Sequence, residues 1–330
     1  MFTESRRAAW IVLAIALAGL LAPLLANDRP ILARVDGRLT APALADLPLV
    51  GTLFDDPASR LVTWDAPTVW PPGVSGRVLL MPPVPYSYRG IRLEDSLRPP
   101  SATHPMGTDA LGRDLLARVL HGARLSIVVG FGATALALFI GFCFGALAGL
   151  RGGLVDLVIV RLLDVVACFP PFILTLAFMA ALGRTGVGPM VAGIALSRWT
   201  SMARYVRGEI LRHRGGEIWV SARATGAGGI HLVLRHLLPL LAAPLAVMVS
   251  FGVANAIVLE SALSFLGFGV NPPAPSWGSI LAEARTSLDA AWWPVFFPSA
   301  ALVTVLASLC SAAEGAAGRI ARRSSLLKRD

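Results

Sequence analysis

The sequence predicts an all-α integral membrane protein: six transmembrane helices and a Pro-rich extracytoplasmic segment. Two observations carry that fold class. The chain of 330 residues is 55% apolar and 15% charged, with a mean hydropathy of +0.68, too few polar side chains for a water-facing surface. An N-terminal apolar run and five more each approach the roughly 20 residues that a helix needs to cross a bilayer.

The first run, Ala8 to Ala26, follows Arg6 and Arg7 and is followed by Asn27-Asp28-Arg29-Pro30, with no small-x-small exit, so residues 1–26 are expected to form a cytoplasmic tip and an uncleaved anchor helix. Residues 27–124 hold 13 of the 24 prolines and 11 Arg against 10 acids, as a solvated extramembrane segment does. Its Pro-rich pieces, Trp70-Pro71-Pro72-Gly73 and Met81 to Tyr86, favour extended or polyproline conformations. The segment should end in an interfacial helix capped by Asp109, with Leu111, Leu115, Leu116, Val119 and Leu120 on one face; a simple lead-in to the next span fits the same pattern. The remaining spans are expected at Leu125–Leu150, Leu157–Leu182, Pro189–Tyr205, Leu240–Ala262 and Trp292–Ala313, inside a core of residues 125–314. A basic tail, residues 315–330, follows.

Six spans put both termini on one side. Short segments on the N-terminal side carry 16 basic residues, seven of them from Arg198 to Arg235, whereas the opposite short loops carry only Arg184 and Arg285. The positive-inside bias therefore places both termini in the cytoplasm of a bacterial inner membrane protein and residues 27–124 outside; Arg113, Arg118 and Arg124 run against it, but long translocated segments are largely exempt.

Catalytic signatures are missing. A phosphate-cradling loop needs Gly-x-x-x-x-Gly-Lys, and Lys328 is the single lysine. Thr225 to Gly229 is glycine-rich but lacks the third glycine of a dinucleotide loop and follows no buried strand. Neither His-Glu-x-x-His nor Gly-x-Ser-x-Gly occurs, and Cys143, Cys168 and Cys310 lie in apolar runs without a Cys-x-x-Cys pair, so no enzyme, metal site or disulfide framework is expected. The net charge of +9 comes with no aromatic-basic RNA-reading motif and is read as topology, not nucleic-acid binding. Arg161 and Asp164, three apart, should neutralise each other. Glu260 is expected at a helix end with access to water; as an intramembrane carboxylate it is the support for a rival reading, a proton-coupled secondary transporter.

The segment that carries function runs from about residue 206 to 239. It reads as a short cytoplasmic helix with a small-residue face, a glycine break at Gly226 and a second helix entering the membrane at Leu238-Pro239. Small Ser221, Ala222 and Ala224 allow close approach by a partner, and the break lets the short helix transmit a push to the fifth span.

This segment resembles the cytoplasmic Glu-Ala-Ala loop of ABC-importer permeases. Gly226 and Leu238-Pro239 match that pattern; Val220 and Ser221 stand where the glutamate and first alanine are found, Ala222 matches the second alanine, and the nearest acid is Glu217. The resemblance assigns ATPase coupling to Glu217, Val220, Ser221, Ala222, Arg223, Ala224, Gly226, Ala227, Leu238 and Pro239. Two further stretches, His104 to Ser126 and Ser264 to Gly278, are similar to the dipeptide/oligopeptide permeases of the "C" subunit type. Leu25 to Leu32 and Pro83 to Tyr88 are similar to the microcin C and oligopeptide subgroup, whereas the acidic tail usual in the family is replaced by Glu314 to Arg319 and a basic end. The family implies a type I permease core of the MetI-like kind, a second homologous permease subunit forming a heterodimer, two ATPase subunits that bind ATP and magnesium, and an extracytoplasmic solute-binding protein. It implies no cofactor in this chain. Import of peptides is the expected function, with nickel-chelate, glutathione or oligosaccharide import as alternatives in the same family.

Overall fold

The computed structural model describes residues 2–47, 51–54, 62, 64, 76–214, 216, 219, 220, 224, 228–233, 235 and 238–326. In chain order the helices are α1 (Phe2–Leu20), α2 (Ala22–Leu25), α3 (Leu115–Arg151), α4 (Gly153–Ala167), α5 (Pro171–Leu182), α6 (Val187–His213), α7 (Gly229–Leu232), α8 (Leu238–Phe265), α9 (Trp277–Ala284) and α10 (Trp293–Leu326). Three short strands, β1 (Leu32–Val35), β2 (Arg38–Thr40) and β3 (Gly76–Leu80), lie between α2 and α3.

Among the described residues three helices are long and apolar enough to cross a membrane: α3, α8 from Pro244, and α10 as far as Gly318. The pair α4 and α5 makes a fourth if taken together. Length and composition of the described residues thus support three spans, or four with that pair, and do not confirm the six expected. Helices α1 and α6 do occupy the first and fourth expected positions, but α1 begins with Arg6 and Arg7, and α6 carries Arg198, Arg204, Arg207, Glu209 and Arg212.

Two expected elements take a different form. The apolar run Leu157–Leu182 is not one rod: α4 and α5 meet at 92°. Pro170 and Pro171 supply no backbone N–H, and a residue before proline is driven out of the helical region, so the first helix ends and Pro171 starts the second. The lead-in to the second span is no separate helix either. It forms the first turns of the 37-residue α3. Asp114, not Asp109, caps that helix, its Oδ1 accepting from the Ala117 N–H at 2.8 Å.

The chain divides into two compact units, one of residues 1–12, 128–263 and 305–330, the other of residues 13–127 and 264–304. In the first unit α3 lies against α6 along Gly141, Gly145 and Gly149. A Cβ at Gly141 would come within 2.5 Å of Met202 Cβ and 2.7 Å of the Trp199 carbonyl, and one at Gly145 within 2.5 Å of the Ala203 carbonyl. Only glycine allows that backbone approach, the kind that drives helix association where lipid offers little hydrophobic drive. Two ion pairs tie α4 to α6: Asp156 with Arg207 at 2.5 Å and Asp164 with Arg204 at 3.1 Å. The expected Arg161–Asp164 pair is looser, at 3.9 Å on an exposed face, because Arg204 reaches the same carboxylate from the facing helix. Glu260, expected at a helix end near water, is fully buried inside α8.

In the second unit the strands form an antiparallel sheet in the order β2-β1-β3. Ala33 and Val35 pack with Val62, Trp64 and Val78, and the alternate residues Leu32 and Arg34 face away, as period-2 alternation requires.

Candidate functional site

Three arrangements have chemical or mechanical content, two in the first unit and one in the second. The first is the seat of the segment between α6 and α8. The Trp219 indole is buried with Val206 and Ile210 of α6, Leu232 of α7, Val233, and Leu241 and Leu245 of α8. A large aromatic fixed among three helices anchors the segment, because a buried ring contributes more apolar area than any neighbour in the cluster. The next residue, Val220, is 59% exposed. The residue in the place of the motif glutamate therefore faces outward while its neighbour holds the backbone. Ala224 is helical and exposed, Leu238 packs at the edge of the Trp219 cluster, and Pro239 is exposed in the first turn of α8. Glu217, Ser221, Ala222, Arg223, Gly226 and Ala227 lie outside the described residues. Trp219 was not among the expected site residues; a large aromatic inside an Arg-rich stretch is the signal that marks it.

The second arrangement is a cavity of about 260 Å³ between α3, α6 and α8. Its wall is mainly apolar, with Thr134, Ser201 and Asn255 as neutral polar residues and Arg198 as its one ionisable residue. The Asn255 amide donates to the Phe251 carbonyl at 2.8 Å, and the Thr134 hydroxyl to the Gly130 carbonyl at 2.8 Å, so their remaining oxygen lone pairs are available to a ligand. A mostly apolar wall with a few polar groups is how small-molecule sites are built. Arg198 had been counted with the cytoplasmic arginines; it sits instead in the middle of α6.

The third arrangement joins two stretches far apart in sequence, 104–126 and 264–293. Asp109 accepts from Arg113 Nε at 2.7 Å and Arg118 Nη1 at 2.5 Å. Glu283 of α9 accepts from Arg118 Nη1 and Nη2 at 2.7 and 3.0 Å, and also from Arg113. The Trp277 indole donates to the Val119 carbonyl at 3.1 Å, and the Trp293 indole to that of Thr108 at 2.9 Å. The loop that supplies Asp109 turns at Gly112, whose φ is +71° and whose Cβ, if present, would overlap the Arg92 carbonyl. A capping box between Ser276 and Ser279 starts α9. His104 Nδ1 lies 2.8 Å from Asp114 Oδ2. Burial pushes the Asp114 carboxyl above the usual carboxylate range, against the hydrogen bonds from Ala117 and His104. Together these contacts make a braced platform.

Comparison with known proteins shows the family of the chain. Residues 141–325 match the family described as the inner membrane component of binding-protein-dependent transport systems. The dipeptide transport system permease protein DppC of Alkalihalophilus pseudofirmus is 36% identical over 220 residues, covering 67% of this chain and 72% of the relative. The di/tripeptide transport system permease protein DppC of Pseudomonas aeruginosa is 37% identical over 219 residues, covering 64% and 71%. Among solved structures, an inward-facing MetNI methionine ABC transporter aligns with a TM-score of 0.51 at 17% identity, covering 62% of this chain and 96% of the other. At that identity the likeness concerns the fold, which is the type I permease fold. The matched region contains the Trp219 seat, the helix bearing Arg198 and the whole of α8. The chain belongs to the family of binding-protein-dependent transport system inner membrane components.

Proposed function

We propose that this chain is one of two homologous permease subunits of a peptide importer, with two ATPase subunits on the cytoplasmic side and a solute-binding protein outside. The observation that carries the reading is the Trp219 seat. The segment that a partner would push is fixed to α6 and α8, and these are two of the three helices around the cavity. A displacement of Trp219 therefore reaches the cavity wall along α6, which is one unbroken helix from Ile210 to Arg198. The names of the relatives, dipeptide and di/tripeptide permeases, support a short peptide as cargo.

In this reading Val220, Ala224 and the adjoining Glu217, Ser221, Ala222, Arg223, Gly226 and Ala227 enter the ATPase groove, and Leu238-Pro239 returns the chain to the membrane. Both termini are cytoplasmic, residues 27–124 are outside, and residues 125–314 form the permease core with 315–330 as a cytoplasmic tail. The chain supplies passage and coupling while ATP and magnesium stay on the partner subunits.

Reconstitution tests this. Vesicles holding this chain, its partner permease and the ATPases should accumulate a dipeptide only with ATP and the loaded binding protein, and the loaded binding protein should raise hydrolysis. Intact stimulated hydrolysis with no accumulation of any peptide would overturn the peptide assignment.

A further inference from the structure

Helix α6 carries four arginines, and three have acids beside them; Arg212 meets Glu209 on its own helix. Arg204 meets Asp164 and Arg207 meets Asp156, both on α4. Arg198 does not: among the described residues it makes no ion pair and no hydrogen bond, and no Asp or Glu borders the cavity it lines. It stands eleven residues from the start of α6 and fifteen from its end. At about 1.5 Å per residue that leaves roughly 16 and 22 Å of helix on either side of it. A cation without an acid in a mainly apolar wall is costly and is kept where it has a polar path or a partner to serve.

We propose that Arg198 is a carboxylate-binding residue of the transport cavity and receives the C-terminal carboxylate of a peptide in passage; this rests on the peptide reading above. The planar guanidinium can donate two parallel hydrogen bonds to a carboxylate, a pairing no other residue of that wall can offer. Asn255 and Thr134 keep oxygen acceptors for peptide N–H groups, and Ser201, one turn from Arg198 on α6, adds a hydroxyl. The cavity volume suits the end of a short peptide, and the apolar remainder of the wall accepts its side chain without selecting among them.

The test uses the complete importer in vesicles with three probes at matched occupancy of the binding protein: tri-alanine, its C-terminal amide, and an amidated tripeptide with a central aspartate. The unaltered importer should move tri-alanine about tenfold faster than either amide, as loss of one charge-assisted pair dictates. Arg198→Met should lower the acid rate until the ratio is near one, and Arg198→Lys should keep much of it. Equal rates for acid and amide in the unaltered importer overturn the inference with no variant needed. An aspartyl amide moving as fast as tri-alanine overturns the assignment to the terminal carboxylate. Failure of the unaltered importer to move any of the three overturns the peptide reading, and this inference with it.

Discussion

The guanidinium of Arg118, 2% exposed, donates to both carboxylate oxygens of Glu283, 165 residues away, at 2.7 and 3.0 Å. The two ends of this pair are unequal, because Glu283 is 42% exposed while Arg118 also serves the buried Asp109. Arg118→Met should therefore destabilise the protein by about 2 kcal/mol, because buried Asp109 loses one of its two guanidinium partners and keeps Arg113. Glu283→Gln should cost about 1 kcal/mol, since water and Asp109 remain. Thermal unfolding of the purified protein followed by tryptophan fluorescence measures both, and equal shifts would contradict the ranking.

The glycine contact between α3 and α6 gives a contrast of positions. Gly145→Leu should lower stability by about 1–3 kcal/mol through overpacking, because a Cβ there meets the Ala203 backbone. Gly208→Ala, on α6 with open space around it, should be neutral or stabilising by about 0.5–1 kcal/mol through helix propensity. Monodispersity and melting temperature in detergent separate the two, and a harmless Gly145→Leu would refute the close packing.

Between α6 and α8, Trp219→Ala empties a buried aromatic site and should cost about 3–5 kcal/mol of local stability. Hydrolysis stimulated by the binding protein should fall several-fold, while basal hydrolysis by the ATPases persists. Val220→Ala should leave stimulation within about twofold, because this side chain points outward, and Val220→Glu should be tolerated for the same reason. Normal stimulation in Trp219→Ala would show that the seat does not transmit the stroke.

Topology is testable by labelling. With Cys143, Cys168 and Cys310 first replaced by alanine, a cysteine at Ser75 should react with an impermeant thiol reagent added to intact cells. One at Gly216 should react only after permeabilisation. The opposite pattern would reverse the orientation and remove the coupling assignment.

The buried Asp114 predicts a pH effect with a definite sign. Its carboxyl titrates higher in the folded protein than in the unfolded chain, where the ordinary value is 3.8. Its contribution is therefore most favourable below the unfolded value and is lost as pH rises through the folded one. Asp114→Asn keeps a capping side chain but cannot titrate. Unfolding compared over acid pH should show the unaltered protein gaining on Asp114→Asn as pH falls through that window; a constant difference would refute it.

Sequence reasoning reached the class of fold and the family because hydropathy, proline content and the Gly226 to Pro239 pattern are local. What it missed is non-local. The 92° bend was written in Pro170 and Pro171 but masked by the unbroken apolar run around them. Asp164 was matched to Arg161 on its own helix because sequence spacing cannot reveal Arg204 on a facing one. Arg198 looked like one more cytoplasmic arginine until the cavity wall placed it, and Trp219 reads as an ordinary aromatic until its neighbours from three helices are assembled.

The glycine stripe has a mechanical consequence. The glycines bring the α3 backbone against the α6 backbone and the stiff, branched Val206 and Ile210, so the two helices can change their mutual angle very little without losing contact. The ion pairs at Asp156 and Asp164 add α4 to the same strut. Val206 and Ile210, which hold Trp219, belong to that strut too. A load applied at the tryptophan is thus carried by a stiff member, and the strain has to be taken up at its softer joints, the α4–α5 corner and the turn of α8 around Pro244.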